Sequence, residues 1–352
     1  MRHGRWTTPA SKSVDAGGVT VGDLGEVALI DRIREHVPES PIWVPIGIGD
    51  DAAVIEPARG TLEVVTADTL VEGIHFDRAF CTFSDLGYKA LAVNLSDLAA
   101  MGATPRTAVL SLVLPDSLSA SNVDTLVEGL LALAAVHRVA LVGGNITRTT
   151  GPLVVGLTAI GAVKRRRVLT RGGGLPGDEL WVTGTVGSAA AGLGSLRQSP
   201  LASDEALAEC VARYRRPDPR VRVGMLLGRN RTARATVDLS DGLGDGIRQM
   251  TTASGVGAVV HASALPIAAA ANEWFVAQGR NPVEAAIAGG DDYELLVAVP
   301  RRFHRRFAAI RRLTHGVQMT KIGELTKETE LVVRTEAGDR PMPKGYEHFQ
   351  EA

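Results

Sequence analysis

Apolar residues recur along the chain with helical spacing in some segments and strand spacing in others. The clearest helix covers residues 84–101, with Ser84 as its predicted N-cap and Gly102 after its last turn. Its apolar face is formed by Leu86, Ala90, Val93 and Leu98. We interpret Lys89 and Asn94, the long polar side chains on this helix, as structural residues.

The remaining segments mix both kinds of element. Further helices are predicted at 24–30, 121–135, 188–196 and 301–312, and strands at 61–66, 107–114, 139–142, 153–163 and 179–183. Acidic, Gly-rich turns lead into a strand at 45–55, into a helix at 237–246 and into a strand at 288–299. Because strands and helices do not alternate strictly, the pattern favours an α+β fold over a doubly wound sheet.

The length of 352 residues suggests two domains. Residues 1–22 are rich in Arg, Ser, Thr and Gly without an apolar stretch, which predicts a disordered leader rather than a secretory signal. The basic run at 164–167 and the Gly-rich stretch at 172–177 indicate a crossing between domains. We therefore predict an N-terminal domain at 23–165 and a C-terminal domain at 166–352.

Composition argues against several functional classes. Hydrophobic residues make up 45% of the chain, and the net charge of −1 provides no global attraction to nucleic acid or to a membrane. No apolar run is long enough to span a bilayer. The basic segment 301–312 has Phe303 and Phe307 at helical spacing, so we interpret it as an amphipathic helix with a solvated basic face. The two cysteines, Cys81 and Cys210, have no metal-binding spacing and predict a reducing compartment, the cytoplasm.

Acidic residues gather at predicted turns and helix ends. The five clusters are Asp50–Asp51, Asp68, Asp97, Asp238–Asp241 and Asp291–Asp292. Singly, such residues are most often caps or turn residues. If they converge in one cleft, two unit charges about 4 Å apart cost about 4 kcal/mol at an effective dielectric of about 20, so protons or cations must neutralise them. Hard oxygen ligands without a Cys or His cluster favour Mg²⁺ or Mn²⁺, and Mg²⁺ usually bridges carboxylates to phosphates. Phosphoryl transfer or phosphate hydrolysis is therefore the predicted chemistry.

The common nucleotide-binding motifs are missing from the sequence. It contains no G-x-x-x-x-G-K-[ST] loop and no protein-kinase H-R-D or D-F-G set. Residues 47–52 match G-x-G-x-x-A, but two acids inside that loop would repel a pyrophosphate unless a metal intervened. Residues 184–187 are interpreted as a tight strand-to-helix turn rather than a phosphate loop. Any nucleotide site should therefore differ from these familiar ones.

Ten segments, taken in order, resemble the thiamine-monophosphate kinase family, which lies in the same superfamily as aminoimidazole ribonucleotide synthetase. They are GIGDDAAV (47–54), TADTLVEGIHF (66–76), LGYKALAVNLSDLAAMGATP (86–105), VGGNITR (142–148), LTRGG (169–173), PGD (176–178), VTGTVG (182–187), DLSDGL (238–243), GGDDYEL (289–295) and KGYEHF (344–349). They cover nearly the whole chain. The resemblance implies an N-terminal ATP- and Mg-binding domain that pairs into a homodimer and a C-terminal domain that closes over the site. It also implies direct phosphoryl transfer from ATP to thiamine phosphate.

The resemblance further implies roles for individual residues. Several Mg²⁺ ions would be held by Asp51, Thr66, Asp68, Asp97, Asp238 and Asp241. Of these, the residues expected to matter most for catalysis are Asp97, Asp68 and Asp238. ATP would contact Gly144, Asn145, Arg171 and Ser240. Thiamine phosphate would contact His75, Asp291 and Tyr346.

Three features depart from the family pattern. Asn145 stands where the family usually has Asp, which keeps a carbonyl ligand but removes a charge. Ala67 replaces a hydroxyl residue that is common beside Asp68. Val136 and His137 stand where an adenine-stacking aromatic residue is expected. These differences leave the metal and adenine contacts of this chain open.

Two alternative functions stay open. A sister ATP-dependent synthetase would activate an amide or carbonyl oxygen. However, the reactive N-terminal Cys or Sec typical of selenophosphate synthetase and the C-terminal Cys of the hydrogenase-maturation relative are both missing here. A non-catalytic binding protein is the second alternative, because Asn145 and Ala67 suit a lapsed enzyme.

Overall fold

The computed structural model describes residues 18–198, 205–314 and 316–345. Over these ranges the α-helices are α1 (Val21–His36), α2 (Phe83–Ala100), α3 (Ala120–His137), α4 (Ser188–Gln198), α5 (Ala208–Arg215), α6 (Val221–Asn230), α7 (Leu243–Ser254), α8 (Ala269–Ala277), α9 (Pro282–Ala288) and α10 (His304–Leu313). The strands are β1 (Leu62–Val71), β2 (Thr104–Pro115), β3 (Ala140–Thr149), β4 (Val154–Val163), β5 (Glu179–Thr183), β6 (Ala235–Asp238), β7 (Gly257–His261), β8 (Leu295–Val299), β9 (Met319–Thr326), β10 (Leu331–Thr335) and β11 (Gly338–Pro341). No helix within these ranges is both long and apolar enough to cross a membrane.

The first sheet has four strands in the order β1-β4-β2-β3. Strands β1 and β2 both pair antiparallel with β4, and β3 runs parallel to β2. Buried and half-buried residues alternate along most of β4, so one face of the sheet belongs to the core and the other face is only partly covered.

The second sheet has seven strands in the order β11-β10-β7-β9-β5-β8-β6. Its pairings are antiparallel except for that of β10 with β7. The chain passes from the first sheet to the second between Val163 and Glu179. Two sheets with helices packed against them confirm the predicted α+β fold.

Helix α2 lies between the two sheets. It packs against α3, β1 and β4 on one side and against α6 and β6 on the other. From Asp85 to Ala100 every residue is buried except Tyr88 and Asp97, which are half-buried. A helix that is enclosed all round needs partners on every side. The sequence predicted a single apolar face on α2. The structure shows a second packed face, which lies against α6 and β6.

The N-cap of α2 is Thr82, so the prediction of Ser84 was wrong. The Thr82 hydroxyl accepts the backbone N–H of Asp85 at 3.1 Å, and the Asp85 carboxylate accepts the backbone N–H of Thr82 at 3.1 Å. This reciprocal pair is a capping box, which a Ser84 cap could not form here.

Two predicted boundaries and one predicted strand also differ from the structure. Strand β1 continues to Val71, beyond the predicted end at 67–68, because every one of its residues has a partner on β4. The segment 45–55 does not join the sheet as a strand and forms only isolated bridges, one of them between Ile46 and Val54. Helix α1 begins at Val21, so the last two residues of the predicted leader belong to a helix. The rest of the leader up to residue 17 lies outside the described residues.

One hydrophobic core extends across both halves of the chain. The largest cluster contains Leu91 and Leu98 of α2 together with Val221, Leu295 and Phe307 from the second half. Residues brought together at the junction of the two halves are therefore held by shared packing.

Replacing Gly87 with Ala should destabilise the protein by about 1–3 kcal/mol, the usual cost of overpacking. Helices α2 and α3 cross so closely that a Cβ atom at Gly87 would lie 1.8 Å from the carbonyl oxygen of Leu126. Urea unfolding measures the change in the free energy of unfolding. Gly151→Ala is a matched control, since its nearest neighbour would lie at 3.4 Å. Equal stability of the two variants would contradict this close crossing.

Candidate functional site

Four predicted carboxylates meet where β1, α2 and β6 come together. Strand β1 carries Thr66 and Asp68 on one face, because residues two apart on a strand point the same way. Asp97 lies in the last turn of α2, where the Thr66 hydroxyl donates a hydrogen bond to its Oδ2 atom. Asp238 ends β6, and Asp241 follows in the turn before α7. We call Asp68, Asp97, Asp238 and Asp241 the acidic cluster.

Burial and mutual repulsion hold the acidic cluster close to protonation. Burial, followed by the charges of Asp97 and Asp241, raises the pKa of Asp68 to about 6. Burial, followed by the charge of Asp97, raises the pKa of Asp238 to about 7. Burial also raises the pKa of Asp97, although the Thr66 hydrogen bond opposes that shift. The protein surroundings therefore offset the negative charge of the cluster only in part.

Two of the residues predicted to contact ATP border the acidic cluster. The positive charge of the exposed Arg171 opposes the upward shifts in the pKa values of Asp97 and Asp238. Ser240 is half-buried, and its carbonyl oxygen accepts the backbone N–H of Asp291 at 2.7 Å. Ser240 thus links the turn after β6 to a residue predicted to contact thiamine phosphate.

The other residues predicted to bind ATP and metal line a cleft of about 850 Å³. This cleft lies between α1, the irregular segment before β1 and the first sheet, and it includes Asp50, Asp51, Gly144 and Asn145. Asp50 Oδ1 accepts the backbone N–H of Asp51 at 2.8 Å. A Cβ atom at Gly144 would lie 2.1 Å from the carbonyl oxygen of Leu110, so a side chain there would displace the neighbouring strand. The predicted site residues thus fall into two groups, the acidic cluster and this cleft.

Two of the residues predicted to contact thiamine phosphate come from different halves of the chain. Asp291 lies in the loop before β8 and has a φ of 67°, an unfavourable conformation for a residue with a side chain. Its Oδ2 atom is 3.3 Å from Nζ of Lys89 on α2. His75 follows β1, and its Nδ1 atom accepts the backbone N–H of Val71 at 3.1 Å.

Tyr346, the third such residue, lies outside the described residues, and its role stays a prediction. Gly345 is the last residue before it, and a Cβ atom there would lie 2.4 Å from the carbonyl oxygen of Asp241. The described chain therefore runs directly against the acidic cluster at its end. Ala67 is exposed on the face of β1 opposite to Asp68, so its missing hydroxyl does not face the cluster.

The sequence did not reveal the partners of the buried polar residues that support the site. Asp292 belongs to one of the predicted acidic clusters, whereas Glu294 and Arg220 were not predicted. Asp292 accepts the backbone N–H groups of Gly187 and Ala189 at 2.6 and 3.0 Å, and burial raises its pKa to about 8. Glu294 is paired with Arg220, and both are almost fully buried. The only local signal was a charged residue beside or within an apolar segment, and such a signal does not identify the partner.

The acidic cluster fits Mg²⁺ by its chemistry. Within the described ranges, no three His, Cys, Asp or Glu side chains are gathered closely enough to hold a metal ion by themselves. The cluster nevertheless offers hard oxygen ligands and unneutralised negative charge. Mg²⁺ in proteins is commonly held by one or two carboxylates and completes its coordination with phosphate and water oxygens. The residues therefore fit ions that are bound jointly with a phosphorylated ligand.

Comparison with known proteins places both halves of the chain in one family. The family described as AIR synthase related protein, N-terminal domain, matches residues 49–163, and its C-terminal domain counterpart matches residues 176–336. The thiamine-monophosphate kinase of Escherichia coli O157:H7 is 40% identical over 335 residues, which is 92% of this chain and 98% of that protein.

Solved structures agree with this assignment. Thiamine-monophosphate kinase from Stenotrophomonas maltophilia K279a is 38% identical with a TM-score of 0.79, covering 88% of this chain and 96% of that one. AaThiL complexed with AMPPCP and TMP is 30% identical with a TM-score of 0.74, covering 95% of this chain and 100% of that one. With both domains matched and the sequence similarity continuous along them, the chain belongs to the thiamine-monophosphate kinase family of AIR synthase related proteins.

Proposed function

We propose that this protein transfers the γ-phosphoryl group of ATP to thiamine phosphate, in line and without a covalent enzyme intermediate, to give thiamine diphosphate and ADP. The observation that carries the proposal is the acidic cluster, where side chains from both sheets and α2 meet with raised pKa values. The likeness to AaThiL, which was complexed with AMPPCP and TMP, supports the choice of substrates.

We assign several Mg²⁺ ions to this site. Their protein ligands would be Asp51, Thr66, Asp68, Asp97, Asp238 and Asp241. Bound Mg²⁺ would neutralise charge on the two phosphorylated substrates and on the phosphoryl group in transfer. Arg171 borders the cluster and is suited to the phosphate chain of ATP, because a guanidinium group can donate two parallel hydrogen bonds to phosphate oxygens.

The residues would act mainly by holding the substrates in place. The acceptor oxygen belongs to a phosphate group that is already anionic near neutral pH, so the transfer requires no general base. Asp238 is buried, and Asp68 and Asp97 are half-buried, so electrostatic interactions at these side chains are stronger than in water. Positioning and charge neutralisation therefore supply the catalysis.

An assay of ADP release tests the proposal. Wild-type protein with ATP, Mg²⁺ and thiamine phosphate should release ADP and form thiamine diphosphate in equal amounts. Release should stop when thiamine phosphate is omitted. Calorimetric binding of both ligands without ADP release would favour a lapsed enzyme, and release with a different acceptor alone would favour a sister synthetase.

Mg²⁺ binding should strengthen as the pH rises through the range from about 6 to about 7. Carboxyl groups with the raised pKa values of Asp68 and Asp238 must lose protons to bind a cation. Calorimetric titration with Mg²⁺ near pH 6.5, in buffers of different ionisation enthalpy, should show about one proton released on binding. Asp238→Asn should reduce this release. Mg²⁺ affinity that is independent of pH between about 5.5 and 8 would contradict the assignment.

The same pKa shifts affect the stability of the metal-free protein with the opposite sign. The pKa of each of these two groups in the folded protein exceeds its ordinary value of 3.8, so ionisation favours the unfolded chain. The stabilising contribution of the protonated form is present at low pH and is lost as the pH rises towards about 7. Mg²⁺ should therefore raise the melting temperature at high pH, and this increase should become smaller as the pH falls.

A homodimer is the second part of the proposal. Apolar residues remain exposed on β1 and on the irregular segment before it, including Val65 at 63% and Val54 at 48%. Exposed apolar groups on a half-covered sheet are typical of an interface. Light scattering should give twice the chain mass of 37.0 kDa, and a monomer at micromolar concentration would contradict pairing.

We also propose that the protein works in the cytoplasm, where ATP is available. Both Cys81 and Cys210 are buried free thiols, and burial raises the pKa of each. Raised pKa values keep these thiols protonated and unreactive.

A further inference from the structure

Several polar residues of α2 reach across to the second half of the chain. Asp85 accepts a hydrogen bond from Arg216 Nε at 2.5 Å, and Ser96 donates to Asp238 at 3.0 Å. Lys89 lies between these two and is directed towards Asp291. Helix α2 thus presents polar side chains to the second half of the chain.

Lys89 is enclosed almost completely. Its side chain is 2% exposed, whereas the side chain of its partner Asp291 is 31% exposed. An ammonium group removed from water is strongly destabilising unless charged and polar groups compensate it. The Lys89 ammonium group is therefore enclosed in the protein, whereas the Asp291 carboxylate is partly open to solvent.

Tyr214 of α5 completes the surroundings of Lys89. The ammonium nitrogen lies 4.1 Å from the centre of the Tyr214 ring, within the range of a cation–π interaction. The Tyr214 hydroxyl points to the carbonyl oxygen of His75 at 3.5 Å. The next residue, Arg215, donates from Nε to the carbonyl oxygen of Phe80 at 2.5 Å, which fixes the end of α5 on the first domain.

These contacts form one continuous path between two residues assigned to the acceptor substrate. His75 follows a strand of the first sheet, and Asp291 precedes a strand of the second sheet. The path runs from His75 through the Tyr214 ring and Lys89 to Asp291. The positive φ of Asp291 shows that its surroundings, rather than its own preference, set its position.

We propose that Lys89 and Tyr214 form a cross-domain brace that fixes His75 relative to Asp291, so that together they bind the phosphorylated acceptor. The inference rests on the proposed function and extends it by naming two positioning residues. Neither residue is assigned a direct contact with substrate. Lys89, which the sequence suggested was a structural residue of α2, acts on the reaction through Asp291.

Loss of the brace should weaken acceptor binding selectively. Without Lys89, Asp291 loses a charged hydrogen bond and its strained loop is free to relax. Among the residues assigned to ATP, Ser240 is hydrogen-bonded to Asp291, but only through its backbone carbonyl oxygen. Arg171, Gly144 and Asn145 do not contact Lys89 or Tyr214. The expected result is a higher KM for thiamine phosphate with an unchanged KM for ATP.

Steady-state kinetics of Lys89→Met tests the brace. The KM for thiamine phosphate should rise by about tenfold or more, as expected for loss of one charged hydrogen bond, while the KM for ATP changes by less than about twofold. Lys321→Met is the matched control, since Lys321 also pairs with a carboxylate, at 2.7 Å from Glu179, but is largely exposed on β9. The control should leave both KM values unchanged.

Two further variants keep the test decisive if Lys89→Met fails to fold. Tyr214→Phe retains the ring and removes only the hydroxyl, so it should raise the KM for thiamine phosphate by about threefold, close to the value of one neutral hydrogen bond. Asp291→Asn combined with Lys89→Met or Tyr214→Phe should show less than additive losses, because the residues act as one unit.

The possible outcomes separate this inference from the proposed function. Wild-type turnover with unchanged KM values in the Lys89 and Tyr214 variants would overturn the brace alone. Equal increases in both KM values would also overturn it, because they would indicate general loosening. A wild-type protein that releases no ADP with thiamine phosphate would overturn the proposed function and the brace together.

Discussion

Replacing Asp97 with Asn is expected to lower kcat by about 10²–10³, the usual effect of removing one electrostatic contact to a transition state. Asp97 is central to the acidic cluster, since its charge acts on both Asp68 and Asp238. Asn retains the shape of the side chain and can still accept the Thr66 hydrogen bond, so the change removes a charge rather than the fold.

Single-turnover measurement of ADP formation at saturating Mg²⁺ checks this prediction. Asp339→Asn is a suitable control, because Asp339 is an exposed acid paired with Arg334 on the far edge of the second sheet. The control should retain normal kcat. Near-normal turnover of Asp97→Asn under these conditions would remove Asp97 from the catalytic residues.

The sequence predicted most of the regular elements because their apolar patterns are local. Helix α2 was found from the spacing of its apolar face, but its polar residues could not be assigned partners. Lys89 meets Asp291, which lies 202 residues away, and Ser96 meets Asp238, which lies 142 residues away. Contacts over such separations depend on how the two sheets pack, which no local pattern contains.

The acidic turn at 45–55 shows a second reason why the sequence alone did not predict every element. Its apolar residues resembled the start of a strand, yet Ile46 and Val54 pair with each other and the segment closes on itself. Strand β1 then occupies the edge of the first sheet beside β4. Local composition could not tell a segment that pairs with itself from one that joins the sheet.

The structure brings some of the predicted site residues together, and their roles stay predictions. Proximity of Asp68, Asp97, Asp238 and Asp241 was expected from the resemblance to a family, and the structure brings these four together. Asp51 lies with Gly144 in the separate cleft, and their shared role with the acidic cluster stays a prediction. The ion pair of Arg220 with Glu294 was not anticipated, because each residue alone resembles an ordinary surface charge.

Replacing Arg220 with Met should lower the free energy of unfolding by about 3–5 kcal/mol, because it breaks the buried ion pair with Glu294. Arg220 Nε donates to Glu294 Oε2 at 2.6 Å, and a second nitrogen contacts Oε1. Glu294 is 2% exposed, so removal of Arg220 leaves a carboxylate in the core with two remaining partners, the Thr183 hydroxyl at 2.5 Å and the more distant Arg213 at 3.9 Å. A whole domain is typically stable by only about 5–15 kcal/mol, so this change should be conspicuous.

Urea unfolding of three variants shows whether the loss of stability comes from the broken ion pair or from altered packing. Arg220→Met combined with Glu294→Met should recover most of the lost stability, because no charge is then left buried without a partner. Arg334→Met breaks an exposed pair with Asp339 at 2.9 Å and should leave the free energy of unfolding almost unchanged. If the double variant were as unstable as Arg220→Met, the loss would come from packing around α6, and the charge of Glu294 would not be its cause.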